Sequence, residues 1–230
     1  KEKTKKEKTK KEKTKKEKKS FHKVLKDKFI QGNPGFMGIV LMCLILGLAL
    51  CIERIIYLNL ADTNTDKLLE DLERSIKKSG VKGAKEVCRN TPGPVASIFL
   101  QGLERGKEGV DVVEKSIINF GSVAMSKLES GLSWISLFIA LAPMLGFMGT
   151  VIGMIEAFDA IEVAGDISPS LVAGGIKVAL LTTVFGLITA IILQIFYNYI
   201  SAKIENIVNN MEDASISLVD ILVKHKITKK

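Results

Sequence analysis

The chain has 230 residues, of which 47% are hydrophobic and 25% charged, and its formal net charge is +8. Three stretches carry no charged side chain: Phe29–Ile52, Ser130–Ile155 and Val178–Ala202. A helix needs about 20 residues to cross the roughly 30 Å hydrocarbon core of a bilayer, so each stretch is long enough to span it. This pattern excludes a soluble globular enzyme and predicts an all-α integral membrane protein with three transmembrane helices.

The positive charge is concentrated at the N-terminus. Residues 1–28 contain 15 lysines and 5 acidic residues, whereas the rest of the chain has 18 basic and 20 acidic residues. The first 19 residues repeat the pattern KEKTK, which has no apolar side chain and predicts a disordered tail. Because no aromatic residue is interleaved with these lysines, the tail is not typical of a nucleic-acid-binding segment.

The potential metal ligands are few and dispersed. Cys43 and Cys51 fall in the first apolar stretch, Cys88 follows it, and the only histidines are His22 and His225. With no CxxC pair or Cys/His cluster, the sequence predicts free thiols, no metal site and no cofactor. It also shows no nucleophile–base pair and no phosphate-binding loop, so we predict that the protein is not an enzyme.

Hydrophobic spacing and chain breakers divide the sequence into eight segments. Phe21, Val24, Leu25 and Phe29 recur at helical spacing and predict an amphipathic helix on the membrane surface. From Val110 the apolar spacing continues without a breaker into the second stretch, which predicts one long helix. The predicted segments are a disordered tail at 1–19, an interfacial helix at 20–31, transmembrane helix 1 at 32–58, a cytoplasmic helical region at 59–109, a long helix with transmembrane helix 2 at 110–158, an external loop at 159–175, a long helix with transmembrane helix 3 at 176–224 and a cytoplasmic tail at 225–230.

A heptad stripe follows the third apolar stretch. Its apolar residues step alternately by four and three positions, as in packed helices. They are Ile200, Ile204, Ile207, Met211, Ala214, Leu218 and Ile221. The stripe is compatible with the core of a single chain and with a contact between copies of the chain. The sequence leaves both possibilities open.

Charges beside the apolar stretches predict the orientation in the membrane. The connection between the second and third stretches contains acids and no base, whereas the C-terminal tail contains four lysines. Because basic flanks favour the cytoplasmic side, we expect the connection outside, and the C-terminus and the polar region inside. Three spans then place the N-terminus outside, which conflicts with its 15 lysines.

Small and hydroxyl-bearing residues mark the second and third apolar stretches. Glycines recur three and four positions apart, a spacing that lets membrane helices approach closely. The glycines predicted to pack helices are Gly146, Gly149, Gly153, Gly175 and Gly186. With the heptad stripe, this glycine face predicts a parallel homo-oligomer. Thr150, Thr182 and Thr183 lie within the stretches, where a threonine often bonds only to its own helix.

Two local sequences resemble the MotA/TolQ/ExbB proton-channel family. They are APMLGFMGTVIGM at 142–154 and AGGIKVALLTTVFGL at 173–187, the latter followed by Tyr197-Asn198. The resemblance covers about 128–198, and three spans with a large polar region are similar to the ExbB/TolQ branch. It implies a pentamer of tall helices around an apolar pore. This pore would house the transmembrane helices of an ExbD/TolR-type partner that carries an essential aspartate.

The resemblance also implies a task and a location. An ExbB-like protein of the bacterial inner membrane would use the proton-motive force and act through a TonB-type protein on outer-membrane uptake. One alternative is a TolQ-like role in envelope maintenance. Another is a passive scaffold among membrane lipids, without ion flow. A MotA-type stator is a further one, although MotA-type proteins have four spans.

The resemblance places the ion route along Thr150 and Thr183, with Thr182 as a weaker candidate. Apolar residues nearby are expected to seal the pore against water; they are Leu145, Met148, Ile152, Leu181 and Val184. The chain departs from some relatives at Val178, where they have glutamate, and at Ile192, where they have proline. Because the second and third stretches contain no acidic or basic residue, a partner must supply the carboxylate that carries the proton.

Overall fold

The computed structural model describes residues 34–165 and 169–228, together with Phe29 and Gly32. Within these residues the secondary structure is helical and contains no strand. The helices are α1 (Pro34–Ala61), α2 (Thr65–Asn90), α3 (Pro94–Arg105), α4 (Val110–Glu129), α5 (Leu132–Ala164) and α6 (Pro169–Lys224), with a short 3-10 turn at Gly106–Glu108 between α3 and α4. The predicted tail at 1–19 lies outside the described residues, as does the predicted interfacial helix at 20–31 except for Phe29.

Three of the helices, α1, α5 and α6, contain windows long and apolar enough to cross a membrane. Most of each charge-free stretch of the sequence lies in one of these helices. The predicted all-α fold with three spans is therefore confirmed.

The predicted unbroken helix at 110–158 is interrupted between α4 and α5. Gly131 adopts a φ of +85°, a left-handed conformation that glycine reaches without steric cost. Leu128 and Ile135 are both buried although they lie on either side of this turn. The apolar spacing therefore runs through the break in phase, which is why periodicity alone did not indicate it.

The connection between α5 and α6 is shorter than the predicted loop at 159–175. Helix α5 continues to Ala164, and α6 already begins at Pro169. The sequence interpretation ended the helix where acidic residues begin. Charged side chains are compatible with a helix once it leaves the hydrocarbon core, so the helix extends past them.

The chain divides into two compact units. The first unit comprises Lys1–Leu46 and Phe138–Ile192, and the second comprises Gly47–Leu137 and Leu193–Lys230. Helices α1, α5 and α6 each contribute residues to both units.

The heptad stripe on α6 is buried within the second unit. Its members from Ile200 to Leu218 are all buried, and Leu222 rather than Ile221 completes it. A Cβ placed on Gly102 of α3 would lie only 2.8 Å from Leu218 Cδ2. The stripe therefore forms part of an intramolecular core, as one of its two interpretations predicted.

One carboxylate of α2 holds the C-terminal end of α6. Glu73 accepts a hydrogen bond from Lys224 Nζ at 2.9 Å, and it lies 3.2 Å from Lys77 Nζ and 3.4 Å from His225 Nε2. Hydrogen bonds from these groups, led by Lys224, lower the pKa of Glu73 from 4.5 to about 2.

Neutralising Glu73 is expected to reduce stability only above the acid range. Because the pKa is lower in the folded state, the stabilisation is present above pH 4.5 and is lost as the pH falls towards 2. We expect Glu73→Gln to lower the melting temperature of the solubilised protein by about 1–3 °C at neutral pH, a small effect because the group is partly exposed. The curves of variant and wild type should converge at acidic pH. Glu70→Gln, an exposed neighbour, is the control, and a constant difference at every pH would contradict the assignment.

Candidate functional site

Helices α5 and α6 pack against each other in the first unit through a ladder of small residues. The facing pairs are Ala142–Gly186, Gly149–Thr182, Gly153–Ala179 and Ala157–Gly175, and Gly146 packs against the α6 backbone between Thr182 and Gly186. The residue numbers rise on one helix as they fall on the other, so the helices are antiparallel. A Cβ on Gly186 would lie 2.5 Å from the carbonyl oxygen of Ala142, which shows how close the backbones are.

This ladder contains all five glycines that the sequence singled out for helix packing. In the structure they join two helices of the same chain. The glycine face is therefore covered within one chain and is not available for the contact between copies that the sequence predicts.

The ladder divides the helix pair into two flanks. An α-helix turns by about 100° per residue, so a residue one position after a ladder residue lies to one side of the contact. In an antiparallel pair, this side is the same for both helices. Thr150 follows Gly149 and Thr183 follows Thr182, and we call their side the threonine flank.

Both threonines of this flank donate their hydroxyl protons to carbonyl oxygens. Thr150 Oγ1 donates to the Phe147 oxygen at 2.5 Å, within α5. Thr183 Oγ1 donates to the Gly146 oxygen at 3.1 Å and so links α6 to α5. A hydroxyl has one donor and two acceptor lone pairs. With their donors occupied, both oxygens can accept a hydrogen bond from a protonated carboxylic acid.

The weaker candidate, Thr182, is placed differently. It is fully buried in the ladder, and its hydroxyl donates to the carbonyl oxygen of Ala179 at 2.7 Å. Its side chain fills the space beside Gly149. Within one chain, therefore, Thr182 packs the helices together and presents no polar atom on either flank.

The predicted seal residues do not share the threonine flank. Four of them precede a ladder residue by one position and lie on the opposite flank; they are Leu145, Met148, Ile152 and Leu181. Val184 follows Thr182 by two positions and lies on the side of α6 remote from α5. These residues are near Thr150 and Thr183 along the chain, but nearness in sequence does not account for helix phase.

Other apolar residues do lie on the threonine flank. Each follows a ladder residue by one position, and they include Phe147, Met154, Leu180 and Leu187. Phe147 and Leu180 are 67% and 59% exposed, so their side chains are available to a neighbouring polypeptide.

The three long apolar helices α1, α5 and α6 are those of a multi-pass helical membrane protein. The sequence profile of the MotA/TolQ/ExbB proton channel family matches residues 90–213, which is more than half of the chain and includes both threonine-bearing motifs. The chain belongs to the MotA/TolQ/ExbB proton channel family.

Individual relatives carry ExbB and TolQ names. The chain is 34% identical over 169 residues to the putative biopolymer transport protein ExbB homolog of Methanothermobacter thermautotrophicus, which is 73% of this chain and 60% of that protein. It is 28% identical over 159 residues to the putative biopolymer transport protein ExbB-like 3 of Synechocystis. The match covers 67% of this chain and 74% of that protein. It is 32% identical over 125 residues to the Tol-Pal system protein TolQ of Pseudomonas aeruginosa. The match covers 50% of this chain and 54% of that protein.

These comparisons confirm the predicted family and its ExbB branch. Together with the three spanning helices, they support a multi-pass membrane protein of this proton channel family. The chain spans 60% of the length of the Methanothermobacter relative.

Proposed function

We propose that the chain is the pore-forming subunit of an ExbB-like energy transducer in the inner membrane. It houses ExbD/TolR-type partner helices and, through a TonB-type protein, powers outer-membrane uptake with the proton-motive force. The observation that carries this proposal is the threonine flank. It places two hydroxyl oxygens on a helix pair that has no acidic or basic residue at 132–155 or 178–202.

The proton is carried by the partner. A relay through the membrane needs a titratable group, and residues 132–155 and 178–202 of this helix pair supply no acidic or basic side chain. A protonated carboxyl of the partner can donate a hydrogen bond to the oxygen of Thr150 or Thr183. The ionised carboxylate has no proton to donate and loses that contact. The flank therefore favours the neutral partner, and release of the proton changes where the partner helix is most stable.

The driving force is sufficient to move packed helices. One elementary charge crossing the membrane supplies about 2.3 kcal/mol per 100 mV. Leakage of water past the carboxyl would dissipate this energy. We assign the seal to Phe147, Leu180 and Leu187, because these apolar residues share the flank with the threonines.

We further propose that several copies form a ring around the partner, for which the family resemblance implies five copies. In one chain only 22–33% of each spanning window is buried, so lipids and other polypeptides must cover the rest. In the second unit, Ile118 and Ile216 are 65% and 66% exposed beside a groove of about 370 Å³ between α4 and α6. An exposed apolar groove outside the spanning windows supports a contact between copies.

The orientation can be tested with introduced cysteines. Cys88 cannot report it, because it is buried and desolvation raises its pKa to about 11, which keeps the thiol protonated. Ala164 at the end of α5 and Lys82 on α2 are both exposed. We expect a membrane-impermeant maleimide to label Ala164→Cys on intact cells and Lys82→Cys only after permeabilisation. Labelling of Lys82→Cys on intact cells would show the opposite orientation.

A TolQ-like role is the second candidate, and the similarity to TolQ of Pseudomonas aeruginosa favours it specifically. Deleting the gene in its host separates the two. We expect energised uptake across the outer membrane to be lost while the envelope remains intact. A leaky envelope with normal uptake would favour the TolQ-like role. Loss of neither would support a passive scaffold.

A further inference from the structure

Helices α3 and α4 border a cavity in the second unit. The short turn Gly106–Glu108 joins the two helices, and they pack together where a Cβ on Gly102 would lie 3.3 Å from Ile117 Cδ1. The cavity has a volume of about 420 Å³, within the range of roughly 300–1,000 Å³ that is typical of small-molecule sites. We call it the α3–α4 cavity. Its wall includes Gln101 and Arg105 of α3, and Lys115, Ser116, Asn119 and Phe120 of α4.

One end of this cavity is cationic. Arg105 at the end of α3 and Lys115 in the second turn of α4 both line it, and both are exposed. Arg105 lies 3.8 Å from Glu108, which is too far for a hydrogen bond, and Lys115 forms no ion pair with any residue that the structure describes. None of the described lining residues is acidic, although Asp111 and Glu114 are close along the chain. This end therefore favours an anion, and a guanidinium binds phosphate through two parallel hydrogen bonds.

The other end of the cavity is neutral and partly apolar. Phe120 follows Lys115 by five residues, or about 7.5 Å along α4, and its ring offers a surface on which a flat aromatic group can stack. Gln101 lies one turn before Arg105 on α3, and Asn119 directly precedes Phe120. Each side-chain amide can both donate and accept hydrogen bonds, as the edge of a nucleobase requires. The cavity thus combines two cations with an aromatic ring and two amides.

We propose that the α3–α4 cavity binds a mononucleotide, with its phosphates on Arg105 and Lys115 and its base against Phe120. The sugar separates phosphate from base in a nucleotide, as the length of the cavity separates its cationic end from its aromatic end. A simple anion would use only the first end and an apolar molecule only the second. The cavity precedes the second charge-free stretch, so it lies in the polar region that dissolved ligands reach.

This binding is independent of the proposed pore. The cavity contains no residue of the threonine flank, and it shares no lining residue with the groove beside Ile118 and Ile216. A nucleotide bound there contacts both α3 and α4. Because a ligand that binds only the folded state stabilises it, the nucleotide should raise the melting temperature of the chain.

Calorimetric titration of the full chain in detergent with ADP tests the proposal. We expect saturable binding, with adenosine and inorganic phosphate bound at least tenfold more weakly. Arg105→Gln and Lys115→Gln should each weaken ADP binding about tenfold, since each removes one charge-assisted contact. The matched control, Lys107→Gln, removes an exposed cation that does not line the cavity and should bind ADP like the wild type.

Thermal unfolding provides a second measurement of the same binding. Without ligand, Arg105→Gln and Lys115→Gln should melt at the wild-type temperature, because both side chains are exposed. ADP should raise the melting temperature of the wild type and of Lys107→Gln more than that of either cavity variant. An equal rise in all four proteins would overturn the proposal.

Phe120→Leu distinguishes a nucleotide site from a simple anion site. We expect the affinity for ADP to fall about tenfold through the loss of stacking, whereas the affinity for inorganic phosphate should not change. Glycerol 3-phosphate, which represents a lipid headgroup, should bind as weakly as phosphate. If either compound bound as tightly as ADP, the nucleotide assignment would be wrong. Absence of ADP binding to the wild type, or unchanged affinity in both Arg105→Gln and Lys115→Gln, would also overturn it.

Discussion

Replacing Thr150 or Thr183 by valine should leave the protein assembled and reduce proton-driven uptake by about tenfold. Valine keeps the shape of threonine and removes the hydroxyl oxygen that, in our proposal, accepts a hydrogen bond from the partner's carboxyl group. The expected loss corresponds to one hydrogen bond of about 1.4 kcal/mol. Uptake in cells with matched expression of each variant is the measurement, and native mass spectrometry of the extracted protein checks assembly.

The serine variants and a buried threonine provide the controls. Thr150→Ser and Thr183→Ser retain the oxygen and should retain most uptake. Thr182→Val removes a hydroxyl that bonds only within its own helix, and it should affect uptake little. Full uptake in both Thr150→Val and Thr183→Val would identify these threonines as packing residues and remove the ion-path assignment. Uptake reduced equally by Thr182→Val would indicate a packing effect instead.

A single methyl group at Gly186 should disrupt the pairing of α5 with α6. The added Cβ would lie 2.5 Å from the Ala142 carbonyl oxygen, which belongs to the backbone and cannot move aside without separating the helices. We expect Gly186→Ala to destabilise the folded protein by about 1–3 kcal/mol, the usual cost of overpacking. Thermal unfolding of the detergent-solubilised protein is the measurement.

The same helix contains a matched control. A Cβ on Gly174 would meet no atom within 4 Å, so Gly174→Ala should leave the melting temperature unchanged or slightly raised. If Gly186→Ala and Gly174→Ala melted at the same temperature, the close ladder between α5 and α6 would not exist as described.

The sequence predicted most of what depends on periodicity and local motifs. Three charge-free stretches identified the spanning helices, and the motifs around Thr150 and Thr183 identified the family. Both threonines could be placed on one flank only once the ladder was known. Until the contact between two helices is fixed, the direction of each side chain around the pair is undetermined.

Several expectations from the sequence were limited by this missing direction. Leu145 and Ile152 are near Thr150 along the chain, but the helical turn carries them to the other flank. The glycine face predicted a contact between copies, and its spacing is also compatible with the intrachain ladder that the structure contains. Gly131 interrupts a helix whose apolar spacing continues in phase, and glycine is also common inside membrane helices that do not break.

The most direct test of the central claim is a structure of the membrane-extracted assembly with its co-purified partner. Our account predicts a ring of copies in which Phe147, Thr150 and Thr183 face the central axis, with a carboxyl of the partner helix within hydrogen-bonding distance of a threonine oxygen. An assembly in which the opposite flank, with Leu145 and Ile152, faces the axis and the threonines face lipid would contradict it.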